Sequence, residues 1–223
     1  MNEPDLGYEP GVLRVLQSKE ETRSFYDKIA KVYDLLAEFS EQPMRDAGLK
    51  LLAATPGESI LEIGCGTGHC LVELAAAVGL QGRIVGVDIS ENMLEESREL
   101  LIHEKVELHC GDAAQLPFPD ETFDGIFTSF TLELFDTPEL PQVLFEWRRV
   151  LKPGGRLVVV AISKEDPQGL ILKTFEWTHR HFPNLMDCRP IYVRRALEAS
   201  GFSIDSADVQ QMWVPVEIVR GVK

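Results

Sequence analysis

Between Ser59 and Cys70 the chain reads S-I-L-E-I-G-C-G-T-G-H-C, a short apolar run broken by three glycines in five positions. Ile60, Leu61 and Ile63 make a brief buried strand, and the change at Gly64 ends it in a tight turn. A helix is expected from about Gly68 to Val78. Glycine tolerates positive φ and carries no Cβ, so the backbone of Gly64, Gly66 and Gly68 can lie directly against a flat or bulky ligand. A side chain at Gly66 would fill that space.

The segments around this loop alternate. Upstream, Phe25, Ile29, Val32, Leu35, Leu36 and Phe39 recur at steps of three and four, which predicts an amphipathic helix over 22–39, with Tyr26 and Tyr33 seven apart on one face. A second helix is expected over 42–54, before the Pro56-Gly57 turn. Downstream, strands are predicted at 83–87, 106–109, 123–129 and 156–162, with helices over 91–102 and 139–150. Strands and helices in this order imply a parallel sheet covered on both faces. The pattern then changes to an aromatic-rich helix over 170–182 and another over 189–200 closed by Gly201. Last come strands at 203–207 and 212–219, whose short link requires an antiparallel pair.

In an open sheet of this kind ligands lie beyond the carboxyl ends of the strands. That rule gathers the glycine loop, Asp88, Asp112 and residues 129–133 into one site. Asp88 stands about 20 residues past the loop, where an acidic side chain reaches both hydroxyls of a ribose. The nicotinamide and flavin fingerprint is GxGxxG, but this chain has GxGxG, with His69 in place of the third glycine and Glu62 just before the loop. A buried carboxylate repels a pyrophosphate and favours an ammonium, and acidic surroundings favour a sulfonium. The residues lean towards S-adenosylmethionine.

Composition narrows the setting. A chain of 223 residues with 44% hydrophobic content suits one domain, and a net charge of −14 opposes nucleic acid and anionic membrane surfaces as partners. No apolar run approaches a membrane span, and the start of the chain has no signal-like core, so a cytoplasmic protein is expected. Residues 1–18 read as a loose arm with Val12, Leu13, Val15 and Leu16 available to dock. The cysteines, Cys65, Cys70, Cys110 and Cys188, form no CxxC pair, and with His69, His103 and His109 they show no metal-ligand spacing. No metal is expected, and Cys65 and Cys70 read as packing residues.

The motifs ILEIGCGTGHC, VGVDIS with ENML, GDAAQLPFPDETFD and RVLKPGGRLVVV, preceded by FYDKIAKVYDLL, resemble the class I S-adenosylmethionine-dependent methyltransferases, in particular the UbiE-like (methyltransferase type 11) group. The resemblance covers about residues 25–162. It implies an α/β, Rossmann-like sheet of order 3-2-1-4-5-7-6 with the seventh strand antiparallel. It implies one domain, with an arm and lid helix to about residue 40, a cofactor-binding core over 41–162, and a helical insertion and hairpin over 163–223. The methionine end of the cofactor would lie along Glu62 and the run Gly64, Cys65, Gly66, Thr67 and Gly68. The ribose would meet Asp88, with Ile89 and Met93 packed alongside, and the adenine Asp112 and Ala113. Ser129 and Phe130 would border the methyl group, with Tyr26 and Tyr33 closing over it.

The expected reaction is in-line transfer of the methyl to a small-molecule acceptor, leaving S-adenosylhomocysteine. Glu133, His179 and His181 are the candidate general bases by composition. The chain departs from the group at Thr131-Leu132-Glu133-Leu134-Phe135, where many relatives carry a histidine pair, and this leaves the acceptor open. A protein that binds S-adenosylmethionine without catalysis and a nicotinamide-dependent oxidoreductase are the alternative readings, the second opposed by GxGxG and Glu62.

Overall fold

The computed structural model describes residues 12–15, 17–165, 174, 177, 178 and 188–223, the side chains of 32–40 excepted. Among them, seven strands form one sheet in the order β3-β2-β1-β4-β5-β7-β6. They are β1 (Ser59–Ile63), β2 (Arg83–Asp88), β3 (Val106–Cys110), β4 (Phe123–Ser129), β5 (Leu151–Ile162), β6 (Ser203–Gln211) and β7 (Pro215–Val222). The first five pair in parallel, while β7 runs antiparallel to both β5 and β6. This is the expected order, including the reversed last strand.

Side chains alternate across each strand, and the alternation sorts the core into two layers. Leu61, Val85, Ile126, Leu157 and Val159 face one layer with α4 (Leu140–Val150) and α5 (Val193–Ala199). Ile60, Ile84, Phe127, Val158 and Val160 face the other, with α1 (Lys19–Leu52) and α2 (His69–Val78), and α3 (Glu91–Leu100) lies on that side too. Because both faces are covered, the central strands are apolar on both, which is why β5 reads as an unbroken aliphatic run. Trp147 of α4 is fully buried and donates its indole N–H to the Ala113 carbonyl at 3.0 Å, fixing the loop after β3.

The last two strands lie at 203–211 and 215–222 rather than 203–207 and 212–219, and three further elements depart from expectation. The two helices expected over 22–39 and 42–54 are one, α1, which passes through Pro43. The missing N–H of Pro43 is outweighed because apolar side chains on both sides of it, Ala30 before and Met44 and Leu52 after, are buried. A capping box starts the helix: Glu21 N–H donates to the Ser18 hydroxyl, and Ser18 N–H donates to the Glu21 carboxylate at 2.8 Å.

Next, β5 begins at Leu151 rather than 156. Leu151 pairs with Phe123, and the Pro153-Gly154-Gly155 stretch is absorbed as an irregularity in the β4 register instead of a free turn. Last, α5 starts at Val193 instead of 189, because the Ile191 backbone is committed to Ile162 and Lys164 in a short parallel bridge. Gly201 closes α5 as expected, at φ +84°. The helix expected over 170–182 lies mostly outside the described residues.

Among the described residues no helix is long and apolar enough to cross a membrane.

Gly48 lets α1 approach the sheet: a Cβ there would stand 2.5 Å from Val160 Cγ2 and 2.9 Å from Phe127 Cε2. Gly48→Leu is therefore expected to destabilise the fold by about 1–3 kcal/mol through overpacking, in spite of the roughly 1 kcal/mol that leaving glycine gains in a helix. A lower urea midpoint with unchanged slope is the expected readout.

Candidate functional site

The glycine loop hangs on the neighbouring strand. The Val87 carbonyl accepts the N–H of Gly64 at 2.8 Å and of Cys65 at 3.2 Å. Asp88 then takes Gly66 N–H on Oδ2 at 2.8 Å and Ser90 N–H on Oδ1 at 2.9 Å. Gly68 N–H returns to the Cys65 carbonyl at 2.9 Å, and α2 begins.

The three glycines have left-handed φ, but the space beside each differs. A Cβ on Gly64 would run into Thr131, and one on Gly68 into Ser97 of α3. At Gly66 nothing stands within 4 Å of where a Cβ would be. Gly68 lines neither cavity described below, and its lack of a Cβ serves the packing against α3. Gly66 is the glycine that leaves room.

Two contiguous cavities open at the carboxyl ends of the strands, about 700 Å³ and about 590 Å³, sharing walls at Thr22, Gly64, Asp88, Ile89, Thr131 and Leu134. The first brings together Tyr26, Glu62, Gly64, Cys65, Gly66, Thr67, Asp88, Ile89, Met93, Ser129 and Phe130. The second adds Asp112 and Ala113. Phe130 holds a left-handed φ of +51°, unusual for a bulky residue, and is tied there by its N–H to the Val160 carbonyl at 2.8 Å. The backbone of Tyr33 belongs to α1, while its side chain lies outside the described residues.

Acid dominates the first cavity. Burial pushes the Glu62 carboxyl well above the ordinary range, against the opposing pull of Arg45. Its Oε2 is buried without a hydrogen-bond partner. Asp88 is raised as well, chiefly by burial, with the N–H groups of Ser90, Gly66 and Ile89 pulling the other way. The thiols of Cys65 and Cys70 are driven up by burial, which leaves neither a ready nucleophile. In the second cavity Asp112 accepts Ala114 N–H on Oδ1 and the Lys19 ammonium on Oδ2 at 2.7 Å.

The proposed bases fare differently. Glu133 is fully buried and turned from the cavities, accepting Ile162 N–H at 3.2 Å. It lines neither cavity. His179 and His181 lie outside the described residues.

Sequence reasoning missed Lys19, Glu41 and Arg45, which line the cavities. Glu41 and Arg45 are one helical turn apart on α1, so their shared face was a readable signal. Lys19 had none.

Residues 60–155 match the family model described as a methyltransferase domain. Demethylmenaquinone methyltransferase of Bacillus cereus (strain B4264) is 37% identical over 156 residues, which is 66% of this chain and 65% of that protein; the same values hold for the enzyme of that name from Bacillus anthracis (strain CDC 684 / NRRL 3495). The match thus spans slightly less than two thirds of these relatives' own length. Among solved structures, the [4+2]-cyclase SpnF superposes with a TM-score of 0.76 at 18% identity, covering 96% of this chain and 98% of that one. A SAM-dependent methyltransferase from Aquifex aeolicus superposes at 0.63 and 23% identity, covering 90% and 97%. Both share the fold.

Burial lifts the Glu133 carboxyl to about 8, against 4.5 for an ordinary glutamate. The unfolded chain therefore loses this proton first as pH rises, and the stability present below about 4.5 is lost on the way to about 8. Glu133→Gln keeps the acceptor for Ile162 and removes the titration. Its melting temperature is expected to gain on the wild type between about pH 5 and pH 8, by several degrees at the upper end, in thermal melts across that range.

Proposed function

We propose that the chain, whose residues 60–155 match the methyltransferase domain family, transfers the methyl group of S-adenosylmethionine to a small-molecule acceptor by direct displacement. The observation that carries this reading is the buried, hydrogen-bond-unsatisfied Oε2 of Glu62 beside the open space at Gly66. A carboxylate in that position suits an ammonium group, and Gly66 leaves room for the chain that carries it. A pyrophosphate there would face Glu41, Glu62 and Asp88, with Arg45 as the cation among the cavity's described walls.

The bound donor supplies an electrophilic methyl on a sulfonium. Everything else falls to the chain. Asp88 keeps acceptor capacity beyond the backbone N–H groups of Gly66, Ser90 and Ile89, which a ribose hydroxyl can use. Asp112 and Ala113 receive the base, while Ile89 and Met93 pack beside the nucleoside. Ser129, Phe130 and Tyr26 wall the methyl end, and the rigid strand ends on which most of these residues sit hold donor and acceptor in near-attack geometry. In this reading the chain up to about residue 40 covers the cleft, 41–162 holds the donor, and the remainder shapes the acceptor's side. The setting in this reading is cytoplasmic, where Cys65, Cys70 and Cys110 stay reduced.

The fold is shared with a protein named as a cyclase, so fold by itself does not carry the reaction; the cavity chemistry does. Demethylmenaquinone, the acceptor in the name of the 37% identical relatives, is the first acceptor to try. The decisive measurement is calorimetric titration with S-adenosylhomocysteine, followed by transfer of a labelled methyl across a panel of acceptors. Binding without transfer to any acceptor would favour a non-catalytic binding protein, and binding of a nicotinamide dinucleotide instead would overturn the reading. Asp88→Ala is expected to weaken S-adenosylhomocysteine binding by roughly 30–150-fold, from about 2–3 kcal/mol of charge-assisted hydrogen bonding.

A further inference from the structure

The cavity that holds Asp112 combines apolar walls with a charged edge. Val87, Ile89, Ala113 and Leu134 line it, and at the edge Lys19 Nζ stands 2.7 Å from Asp112 Oδ2 and 3.3 Å from Glu139 Oε1. The ammonium lies 5.9 Å from the centre of the Phe135 ring, which lines the same cavity. Asp112 Oδ1 meanwhile accepts Ala114 N–H at 2.9 Å. Asp112 therefore meets a ligand with both oxygens already engaged, and one of its partners is a cation that lines the cavity beside it.

A carboxylate only accepts hydrogen bonds, through about four lone-pair sites, and an ammonium only donates, through about three N–H groups. Both keep capacity after pairing, so an acceptor and a donor stand side by side where the base is proposed to lie. Adenine offers a 6-amino donor next to ring-nitrogen acceptors. A 6-oxopurine reverses the order, with an acceptor oxygen next to the N1–H donor. A carboxylate by itself suits the first and repels the oxygen of the second. The pair suits either, because the flexible lysine stem can bring its ammonium to a ring nitrogen or to the 6-oxygen while Asp112 takes the neighbouring N–H. Lysine donating to the O6 and N7 acceptors is a standard pairing with guanine, itself a 6-oxopurine.

We infer that Lys19 is a specificity-determining residue that widens the base subsite from adenine to 6-oxopurines, so that the chain binds an inosyl thioether as well as an adenosyl one. This rests on the reading that the cleft holds an adenosyl donor with its base at Asp112. Lys19 acts on the choice of base and not at the methyl end: it lines the second cavity alone, whereas Ser129 and Phe130 line the first.

The test is calorimetric titration of the full chain with S-adenosylhomocysteine and with S-inosylhomocysteine, for the wild type, Lys19→Met and Lys19→Arg. In the wild type the inosyl ligand is expected to bind within about tenfold of the adenosyl one. Lys19→Met should widen that ratio by at least about tenfold through loss of inosyl binding, because the 6-oxygen then faces a carboxylate with no donor beside it. Lys19→Arg, which keeps a donor, should hold the ratio within about threefold of the wild type. A wild type that binds S-adenosylhomocysteine but discriminates against the inosyl ligand more strongly overturns the inference and leaves the adenosyl reading standing. A smaller change in Lys19→Met, or one that arises from weakened adenosyl binding, overturns it too. Should thermal melts show Lys19→Met unfolded, the wild-type ratio and Lys19→Arg decide. Failure of the wild type to bind S-adenosylhomocysteine at all would instead remove the adenosyl-donor reading, and this inference with it.

Discussion

The site depends first on one carbonyl. Val87, at the last turn of the ladder before Asp88, receives the N–H groups of both Gly64 and Cys65, so the chain leaving β1 must fold back over β2 before entering α2. That bend sets Gly66 against Asp88, and Asp88 closes the arrangement by accepting the Gly66 N–H. The loop's backbone donors are thus spent on strand and side chain, and the hollow beside Gly66 stays open. Parallel register does the rest: with β1 between β2 and β4, the ends of all three strands meet at one edge of the sheet.

Electrostatics give that edge its character. Two carboxyl groups, Glu62 and Asp88, line the same cavity; burial makes each costly to ionise, and the charge of Asp88 adds to the cost at Glu62. Asp88 offsets this with backbone N–H donors. Glu62 has a buried oxygen, Oε2, without a hydrogen-bond partner. Glu133 shows that a buried acid by itself means little: it is equally enclosed and its Oε2 likewise has no hydrogen-bond partner, yet it accepts Ile162 N–H and lines neither cavity.

The long helix α1 connects these parts. Gly48 brings its C-terminal half onto β4 and β5, while its first turns carry Lys19, Thr22 and Tyr26 over the cleft. One rigid element therefore spans from the core to the cover, and Asp27 registers it against the loop after β2. A break at Pro43, as two separate helices would require, would uncouple cover from core.

The alternation of strands and helices, the glycine loop and the two acids Asp88 and Asp112 were legible in the sequence, because each follows from a local pattern, whereas the strand order was implied by the family resemblance. Apolar runs end at glycine or aspartate, and parallel strands end on the same side. The glycines' separate duties were not legible, since Gly64 answers to Thr131 and Gly68 to Ser97, neither of them near in the chain. Nor was the cover: Lys19 meets Asp112 across 93 positions and Arg14 meets Asp136 across 122. A long side chain on an exposed helix turn carries no mark of the partner it will find. The residues alone determined which backbone could form the hollow and which acids stand at its rim; the packed sheet and helices decided which of those acids face it, because direction and partner are set only when distant segments are brought within hydrogen-bonding reach.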